Sequence, residues 1–289
     1  AEPGSAGQLI AYDASDCPTT KLAGPFKCRL DARRNKKPNP QAAALAADPT
    51  VDPNAHVDVT APVDAAKFNF TKVNPLEVLA SVHLAGERYS LLPNKFPVAD
   101  THMLLVAGTL EAQRLSAPSI EAIAELLARC DGFAASFNSW GAAASINHLH
   151  IHLTDESLPL ERFEVVHSDA DDTTAAVHLL GYPAAHAGFC YRTAAGRRAL
   201  LGAIDECHEA RTPYNVTFTT KGYAFVFART RTQAEHSWRT YGERLGGFEM
   251  AGIFTAYQQE TYCALDEASI KTMLGAAVVQ PPVAHAADA

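Results

Sequence analysis

The sequence predicts an α+β fold in which helices pack against a mainly antiparallel sheet, and three observations support this class. Hydrophobic residues make up 47% of the 289 residues and charged residues 19%, a composition typical of a globular protein with a sizeable core. Strand-like and helix-like patterns of apolar residues occur in separate segments. The order helix, strand, turn, strand occurs twice, once up to Leu153 and again up to Ala228. This repetition predicts two similar halves around one sheet.

Composition divides the chain further. The predicted segments are an extended, loop-rich arm at 1–66, a first half at 67–160, a second half at 161–277 and a tail at 278–289. A basic cluster interrupts the arm between Lys27 and Lys37. We interpret this cluster as a solvated face, with binding of phosphate or of an acidic partner as the alternative. The tail is predicted to be disordered or to serve as a docking arm.

The first half begins with two strands. The residue pattern predicts them at Arg88–Pro93 and His102–Val106, joined by a short turn. A helix follows between Ser116 and Cys130, because a start signal precedes apolar residues at helical spacing. A strand at Phe133–Phe137 and a loop of small residues then lead into a further strand.

The second half repeats this order. A helix is predicted at Arg197–Glu209, and strands are predicted at Tyr214–Thr219 and Tyr223–Ala228. The last of these strands carries aromatic residues at alternate positions, namely Tyr223, Phe225 and Phe227. The corresponding strand of the first half carries histidines, so we expect the second copy to be structural.

Those histidines form the candidate site. His148, His150 and His152 occupy every second position of a predicted strand, which places all three imidazoles on one face and the intervening apolar residues on the other. The preceding loop begins at Gly141 and is made of small residues, which leaves room for a bulky charged ligand. Further hydrogen-bonding groups nearby are Asn138, Ser139 and Asn147.

Aligned imidazoles have four interpretations from the residues alone. They can bind a metal ion such as Zn²⁺, since imidazole is a common metal ligand. One imidazole can attack phosphorus while its neighbours position it and transfer protons. The other two interpretations are a pH-sensitive surface stripe and ordinary strand packing. The small-residue loop favours nucleophilic catalysis, because a metal site does not require it.

Several segments together resemble a known family. They are Phe68–Val73, Asn94–Pro97, His102–Val106, Asn138–Gly141, Ile146–His152, Pro213–Val216 and Phe248–Gly252. These segments resemble, in the same order, the histidine-triad superfamily in its nucleotidyltransferase branch. Within that branch the chain is most similar to the GDP-hexose phosphorylases, the group that acts on GDP-L-galactose and GDP-D-glucose. The resemblance covers roughly residues 65–275 and implies a fold of two fused histidine-triad-like halves.

The resemblance also implies a mechanism. His150 would attack the α-phosphorus of a nucleoside diphosphate sugar, forming a guanylyl-histidine and releasing hexose 1-phosphate. Inorganic phosphate would then take the nucleotidyl group to give GDP. His148 would orient and polarise the nucleophile, and His152 would donate to a phosphoryl or leaving oxygen. No cofactor and no metal ion are implied.

The resemblance gives the neighbouring polar residues roles as well. Asn147 and Ser139 would belong to the phosphate shell, with Asn138 and Gly141 beside them. Asn94 would contact the base or ribose, and capping of a turn is the alternative for that residue.

One departure from the family pattern leaves other functions open. Transferase-branch members commonly carry Gln at the third triad position, where this chain has His152. Histidine is the pattern of the hydrolase branch, so a nucleotide hydrolase with water as the acceptor is an alternative. A third alternative is a catalytically silent structural or assembly subunit that contacts a protein partner through its arm or tail.

Charge and hydropathy exclude other classes. The net charge of −8 argues against a nucleic-acid binder. No apolar run approaches the roughly 18 residues that a membrane span needs. Six cysteines without a CxxC pair predict free thiols. The compartment stays open: the resemblance suggests the cytoplasm, and the first residue, Ala1, would fit an organelle if a targeting peptide had been removed.

Overall fold

A computed structural model of the chain describes residues 18–36, 58–167, 176–230 and 245–279. In these residues a ten-stranded antiparallel sheet forms the centre of an α+β fold, which confirms the predicted class. The strands of this sheet are β3 (Ala80–Leu84), β4 (Glu87–Pro93), β5 (Met103–Ala107), β6 (Ala134–Asn138), β7 (His150–Thr154), β8 (Val165–His167), β9 (Ala176–Leu179), β10 (Ala187–Cys190), β11 (Tyr214–Phe218) and β12 (Tyr223–Ala228).

A small sheet and five α-helices complete the described part. The small sheet contains β1 (Thr19–Ala23), β2 (Phe26–Leu30) and β13 (Ile253–Ala256). The helices are α1 (Ala117–Arg129), α2 (Ala194–Glu209), α3 (Gly247–Met250), α4 (Gln259–Ala264) and α5 (Glu267–Ala276). Short 3₁₀ turns lie at Ala32–Lys36, Phe70–Lys72, Pro75–Glu77 and Pro159–Arg162. None of the described helices combines the length and apolar composition needed to cross a membrane.

The strand order of the large sheet repeats. From one edge it is β3-β4-β5-β7-β6, and from the other edge it is β8-β9-β10-β12-β11. The two sets of five strands therefore have the same order, and they meet where β6 pairs with β11. In each set a helix follows the third strand along the chain. Helix α1 connects β5 to β6, and α2 connects β10 to β11.

The two faces of the sheet are covered differently. One face packs under α1 and α2, and its core includes Leu105, Ile151 and the stacked rings of Phe137 and Tyr214. On the other face, the second half is closed by an apolar core that reaches the small sheet. The same face of the first half carries His150 and His152 and lines a cavity. This difference leaves the candidate site on one half only.

The prediction of an extended, loop-rich arm at 1–66 is wrong for residues 19–30, which form the β1–β2 hairpin. Gly24 has φ +59° in the connecting turn, a conformation that glycine adopts easily, and β2 pairs in parallel with β13. The solvated-face interpretation of the basic cluster is also wrong for Arg29 and Arg34, which are buried. Residues 37–57 of the arm and 280–289 of the tail lie outside the described residues.

Candidate active site

The cavity has a volume of about 1080 Å³ and lies over the strand that carries the histidines. Residues of the 3₁₀ segment from Phe70 to Glu77 line one side, and residues 246–249, which include the start of α3, line the other. Apolar side chains Leu92, Leu104 and Val106 of β4 and β5 pack beneath the 3₁₀ segment. His150 and His152 are therefore held on a rigid strand between two covering segments.

His150 is positioned by a backbone carbonyl. Its Nδ1 lies 2.7 Å from the carbonyl oxygen of His148, and a carbonyl can only accept, so Nδ1 carries the proton. The lone pair of the neutral ring is then on Nε2. His150 is 4% exposed, which keeps most water away from the ring. This geometry gives the ring one nucleophilic nitrogen in a fixed orientation.

Gln113 fixes the backbone around His150. Its side chain accepts from the His150 N–H at 2.8 Å and donates to the His150 carbonyl at 3.0 Å and to the Asn138 carbonyl at 2.8 Å. Gln113 is fully buried, so these bonds satisfy groups that would otherwise be costly to leave unpaired. Sequence patterns did not indicate this residue, because it lies in an irregular segment 35 or more positions before the triad.

His148 supports the site without lining the cavity. Its Nδ1 accepts from the Phe70 N–H at 3.0 Å, and its Nε2 donates to the Thr109 carbonyl at 2.8 Å. Burial lowers the pKa of His148, against the opposing effect of the Thr109 carbonyl. The ring is therefore neutral near pH 7, and the group it presents to His150 is its backbone carbonyl.

His152 is connected to a fourth histidine that the sequence analysis placed only in a strand. His102 Nδ1 accepts from the Val98 N–H at 3.0 Å, so the proton of the neutral His102 ring is on Nε2. That Nε2 lies 2.8 Å from His152 Nδ1, which must then accept. The proton of the neutral His152 ring is consequently on Nε2, and this nitrogen is a hydrogen-bond donor in a ring that lines the cavity.

Asn94 and Asn138 both line the cavity. Asn94 Oδ1 accepts from the Phe96 N–H at 2.9 Å, so this residue caps its turn, and its side-chain nitrogen lies 3.1 Å from His102 Nε2. Asn138 Oδ1 accepts from Asn215 Nδ2 and from the Gly247 N–H, each at 2.7 Å. Asn138 thereby links the central strands to α3.

The other predicted polar residues are used in structural bonds. Asn147 lines the cavity, but its side chain accepts from the Gln113 N–H and donates to the carbonyls of Ala61 and Pro62. Ser139 is fully buried, and its hydroxyl accepts from the Tyr214 N–H at 2.8 Å. The Ser139 hydroxyl is therefore hydrogen-bonded to the backbone and lies outside the cavity lining.

Gly141 acts through its backbone. It has φ +89° in the turn that follows β6, a conformation that side chains disfavour. It is outside the cavity lining, which is formed in this loop by Trp140 and by residues 143–147.

The approach of α3 to the sheet brings in two further side chains. A Cβ atom at Gly247 would lie 1.8 Å from Ser136 Oγ, so only glycine permits this contact. The Phe248 ring packs 5.0 Å from the His102 ring and 6.2 Å from the His152 ring. Glu249 also lies on this helix and lines the cavity.

The described residues contain no grouping of three or more His, Cys, Asp or Glu side chains that could hold a metal ion. The nitrogen atoms Nδ1 of His150 and His152 are directed to His148 and His102. Both rings are therefore oriented by a hydrogen bond at Nδ1.

Residues 5–154 match the family described as GDPGP1-like, N-terminal domain. The chain belongs to the GDPGP1-like family. It is 36% identical over 145 residues to GDP-D-glucose phosphorylase 1 of Macaca fascicularis, and 25% identical over 245 residues to GDP-L-galactose phosphorylase 1 of Arabidopsis thaliana. The resemblance to GDP-hexose phosphorylases predicted from the sequence is thus confirmed.

These alignments cover parts of the proteins compared. They include 45% and 74% of this GDPGP1-like chain, and 36% and 52% of the macaque and Arabidopsis proteins. The chain thus spans about a third to a half of the length of these relatives. In three dimensions it is similar to yeast Ap4A phosphorylase Apa2 in complex with Ap4A, with a TM-score of 0.63 over 93% of this chain and 90% of that chain at 15% identity. This likeness shows a shared fold.

Proposed function

We propose that this protein cleaves a GDP-hexose by phosphorolysis, giving GDP and hexose 1-phosphate through a guanylyl-histidine intermediate. The observation that carries the proposal is the fixed tautomer of His150, whose Nδ1 donates to the His148 carbonyl in the wall of a cavity. The family membership and the distant relation to GDP-hexose phosphorylases support the substrate class.

In the first step, the lone pair of His150 Nε2 attacks the α-phosphorus. The nitrogen–phosphorus bond forms as the bond from phosphorus to the bridging oxygen breaks, and hexose 1-phosphate leaves with the electron pair. The imidazole becomes cationic, and the His148 carbonyl, 2.7 Å from Nδ1, stabilises that charge. A group placed to stabilise charge that appears only during the reaction lowers the barrier.

In the second step, an oxygen of inorganic phosphate attacks the same phosphorus. The nitrogen–phosphorus bond breaks, its electrons return to His150, and GDP is formed. His152, held in the Nε2–H tautomer by His102, donates a hydrogen bond to a phosphoryl oxygen in both steps. No proton has to be gained or lost overall, because one phosphate oxygen replaces another.

The cavity also suits a nucleotide in size and lining. Its volume of about 1080 Å³ is slightly above the roughly 300–1,000 Å³ typical of small-molecule sites. Phe68, which is 56% exposed, lines the wall and packs at 6.0 Å against Phe70, whose ring in turn lies 5.1 Å from that of His150. We assign the base to this aromatic wall, since exposed rings beside a nucleotide site provide stacking surfaces.

The repeated strand order supports two fused histidine-triad-like halves, of which one is catalytic. In the second half β12 occupies the position that β7 has in the first. Phe225 and Phe227 of β12 pack into the apolar core near Tyr182 and His186. That half consequently has packed rings where the first half has the nucleophile.

A nucleotide hydrolase of the same fold is the second candidate. It is favoured by His152 at the third triad position, because histidine can transfer a proton from water whereas glutamine cannot. In a hydrolase, water would replace phosphate in the second step and GMP would be the product.

The test is to incubate the purified protein with GDP-glucose and GDP-galactose, with and without phosphate, and to measure GDP, GMP and hexose 1-phosphate. GDP formation that requires phosphate supports the phosphorylase, whereas GMP formation without phosphate supports the hydrolase. No turnover together with no nucleotide binding would contradict both and would favour a silent subunit.

A further inference from the structure

The end of the cavity near His152 carries a buried arginine that the chemistry above does not use. Arg34 lines the cavity and is 8% exposed. It follows the β1–β2 hairpin, in the part of the chain that sequence composition predicted to be a loop-rich arm. The turn that follows the small sheet's β2 therefore places a cation in the cavity wall.

Two hydrogen bonds orient the guanidinium group of Arg34. Nε donates to the Tyr257 hydroxyl at 2.9 Å, and Nη1 donates to the Phe96 carbonyl at 2.6 Å. The guanidinium carbon also lies 5.3 Å from the centre of the Tyr257 ring. A planar cation held in one orientation suits the geometry of phosphate oxygens better than a mobile one does.

A chain of contacts places Arg34 at the His152 end of the cavity. Phe96, which accepts from Arg34, donates its N–H to Asn94 Oδ1. The Asn94 side-chain nitrogen contacts His102, and His102 contacts His152. Arg34 is thus linked to His152 through the turn at Asn94–Phe96 and through His102, and both Arg34 and His152 line the cavity.

The other described lysine and arginine side chains in the lining are exposed. Lys67 pairs with Asp64 at 3.8 Å, and Lys95 pairs with Glu77 at 2.8 Å. The ammonium group of Lys72 donates to the backbone carbonyls of residues 65, 66 and 67. Among the arginine and lysine side chains that the structure describes in this lining, Arg34 is the buried one.

The reaction itself requires such a cation at one position. In the first step a phosphate oxygen of hexose 1-phosphate leaves the α-phosphorus, and in the second step an oxygen of inorganic phosphate attacks it. Both phosphates therefore use the same place beside the triad. The protein has a net charge of −8, so its overall field repels these anions and a local cation must attract them.

We propose that Arg34 forms a subsite for the phosphate that leaves or attacks the α-phosphorus. This subsite binds in turn the β-phosphate of the nucleotide sugar, inorganic phosphate and the β-phosphate of GDP. The inference rests on the proposed function and adds a subsite to it. Glu249 also lines the cavity; burial raises the pKa of its carboxyl group, and the Gly246 N–H and the charges of Arg34 and Arg229 oppose that effect.

The test compares GDP with GMP, because the two nucleotides differ only in the β-phosphate. Their affinities are measured by calorimetry for the wild-type protein, for Arg34→Gln and for the control Arg33→Gln. Arg33 is the neighbouring arginine, but it pairs with Asp31 and is outside the cavity lining. We expect Arg34→Gln to weaken GDP binding about tenfold or more and to leave GMP binding unchanged, since charge-assisted bonds are among the strongest.

A second variant and a turnover measurement complete the test. Tyr257→Phe removes the hydroxyl that orients Arg34, and it should weaken GDP binding less than Arg34→Gln does. In turnover, Arg34→Gln should require at least tenfold more phosphate for half-maximal GDP formation. Equal effects on GDP and GMP, or no effect on either, would overturn the Arg34 proposal while leaving the phosphorylase proposal intact. Selective loss of GDP binding in a protein that never turns over GDP-hexose would support the subsite and contradict the activity.

Discussion

Nε2 of His102 lies 2.8 Å from Nδ1 of His152, and the Val98 N–H fixes which of the two nitrogens carries the proton. Because of this bond, the proton of the neutral His152 ring is on Nε2, which can donate toward the cavity. His102 itself does not contact the substrate in the proposed mechanism. His102 is therefore a positioning residue, and its contribution can be separated from that of the nucleophile.

Replacing His102 tests this role. His102→Phe removes the proton that holds His152 Nδ1 as an acceptor, so His152 can adopt either tautomer. We expect kcat for GDP-hexose phosphorolysis to fall about 100-fold, with the KM for GDP-hexose changed little. His83→Phe, at an exposed position of β3, is the control and should keep wild-type kinetics. An unchanged kcat in His102→Phe would contradict the positioning role.

Gly247 tests whether the close approach of α3 is needed. Gly247→Ala places a methyl group against Ser136 Oγ, so α3 and Phe248 must shift away from His152. We expect a loss of activity and a decrease in the free energy of unfolding of about 1–3 kcal/mol, measured by urea denaturation. Adding Ser136→Ala should restore part of both, because it removes the atom that clashes.

Gly202 provides the matched control for that substitution. It lies in α2, and a Cβ atom there would meet no atom within 4 Å. Gly202→Ala should leave activity unchanged and raise the free energy of unfolding by about 0.5–1 kcal/mol. Equal effects of Gly247→Ala and Gly202→Ala on activity would contradict the proposed need for close contact between α3 and the sheet.

Phe68 tests the assignment of the base to the aromatic wall. Phe68→Ala should weaken GMP binding about tenfold, because stacking contributes roughly 1–3 kcal/mol per base. Phe68→Trp should retain most of the affinity. Leu22→Ala, which removes an exposed apolar side chain of β1, should have no effect. Unchanged GMP affinity in Phe68→Ala would place the base elsewhere.

His186 predicts a dependence of stability on pH. Its ring packs against Tyr182, Phe225 and Phe227, and burial lowers its pKa, against the opposing effect of the Ala184 carbonyl. The unfolded state therefore binds a proton more readily, and the free energy of unfolding falls as the pH drops below about 6.5, the ordinary histidine value.

The measurement compares the free energy of unfolding at pH 7.5 and pH 5.5 in the wild type and in His186→Gln. The loss between these pH values should be smaller in the variant, by at most about 1.4 kcal/mol per pH unit. His83→Gln changes an exposed histidine of β3, which does not affect the pKa of His186, and serves as the control. Identical losses in wild type and His186→Gln would show that the ring is not buried in its neutral form.

The sequence predicted the parts of the fold that follow from local patterns. The pairs of strands in each half and the helices α1 and α2 lie within a few residues of their predicted positions, because their apolar residues recur at strand or helix spacing. The β1–β2 hairpin was missed, since Pro, Ala and Asp are frequent in the surrounding sequence and its pairing with β13 joins residues more than 200 positions apart.

For the candidate site, only the features that follow from local alternation were predictable from the sequence. Alternation placed His150 and His152 on one face, and their ring centres lie 5.3 Å apart. The residues that orient them were not predictable, because Gln113 and His102 act through tertiary hydrogen bonds that leave no periodic signal. Alternation also placed His148 on that face, and the resemblance implied that it orients the nucleophile; in the structure its ring is bonded to the backbone of Phe70 and Thr109.

The most direct test of the account is to trap the intermediate. GDP-glucose carrying ³²P at the α-phosphorus is mixed with the protein in the absence of phosphate, the reaction is stopped with alkali, and the labelled peptide is identified by mass spectrometry. The mechanism predicts GMP on His150, loss of the label on addition of phosphate with formation of GDP, and no labelling of His150→Asn. Labelling of another residue, or GDP formation by His150→Asn, would contradict the central claim.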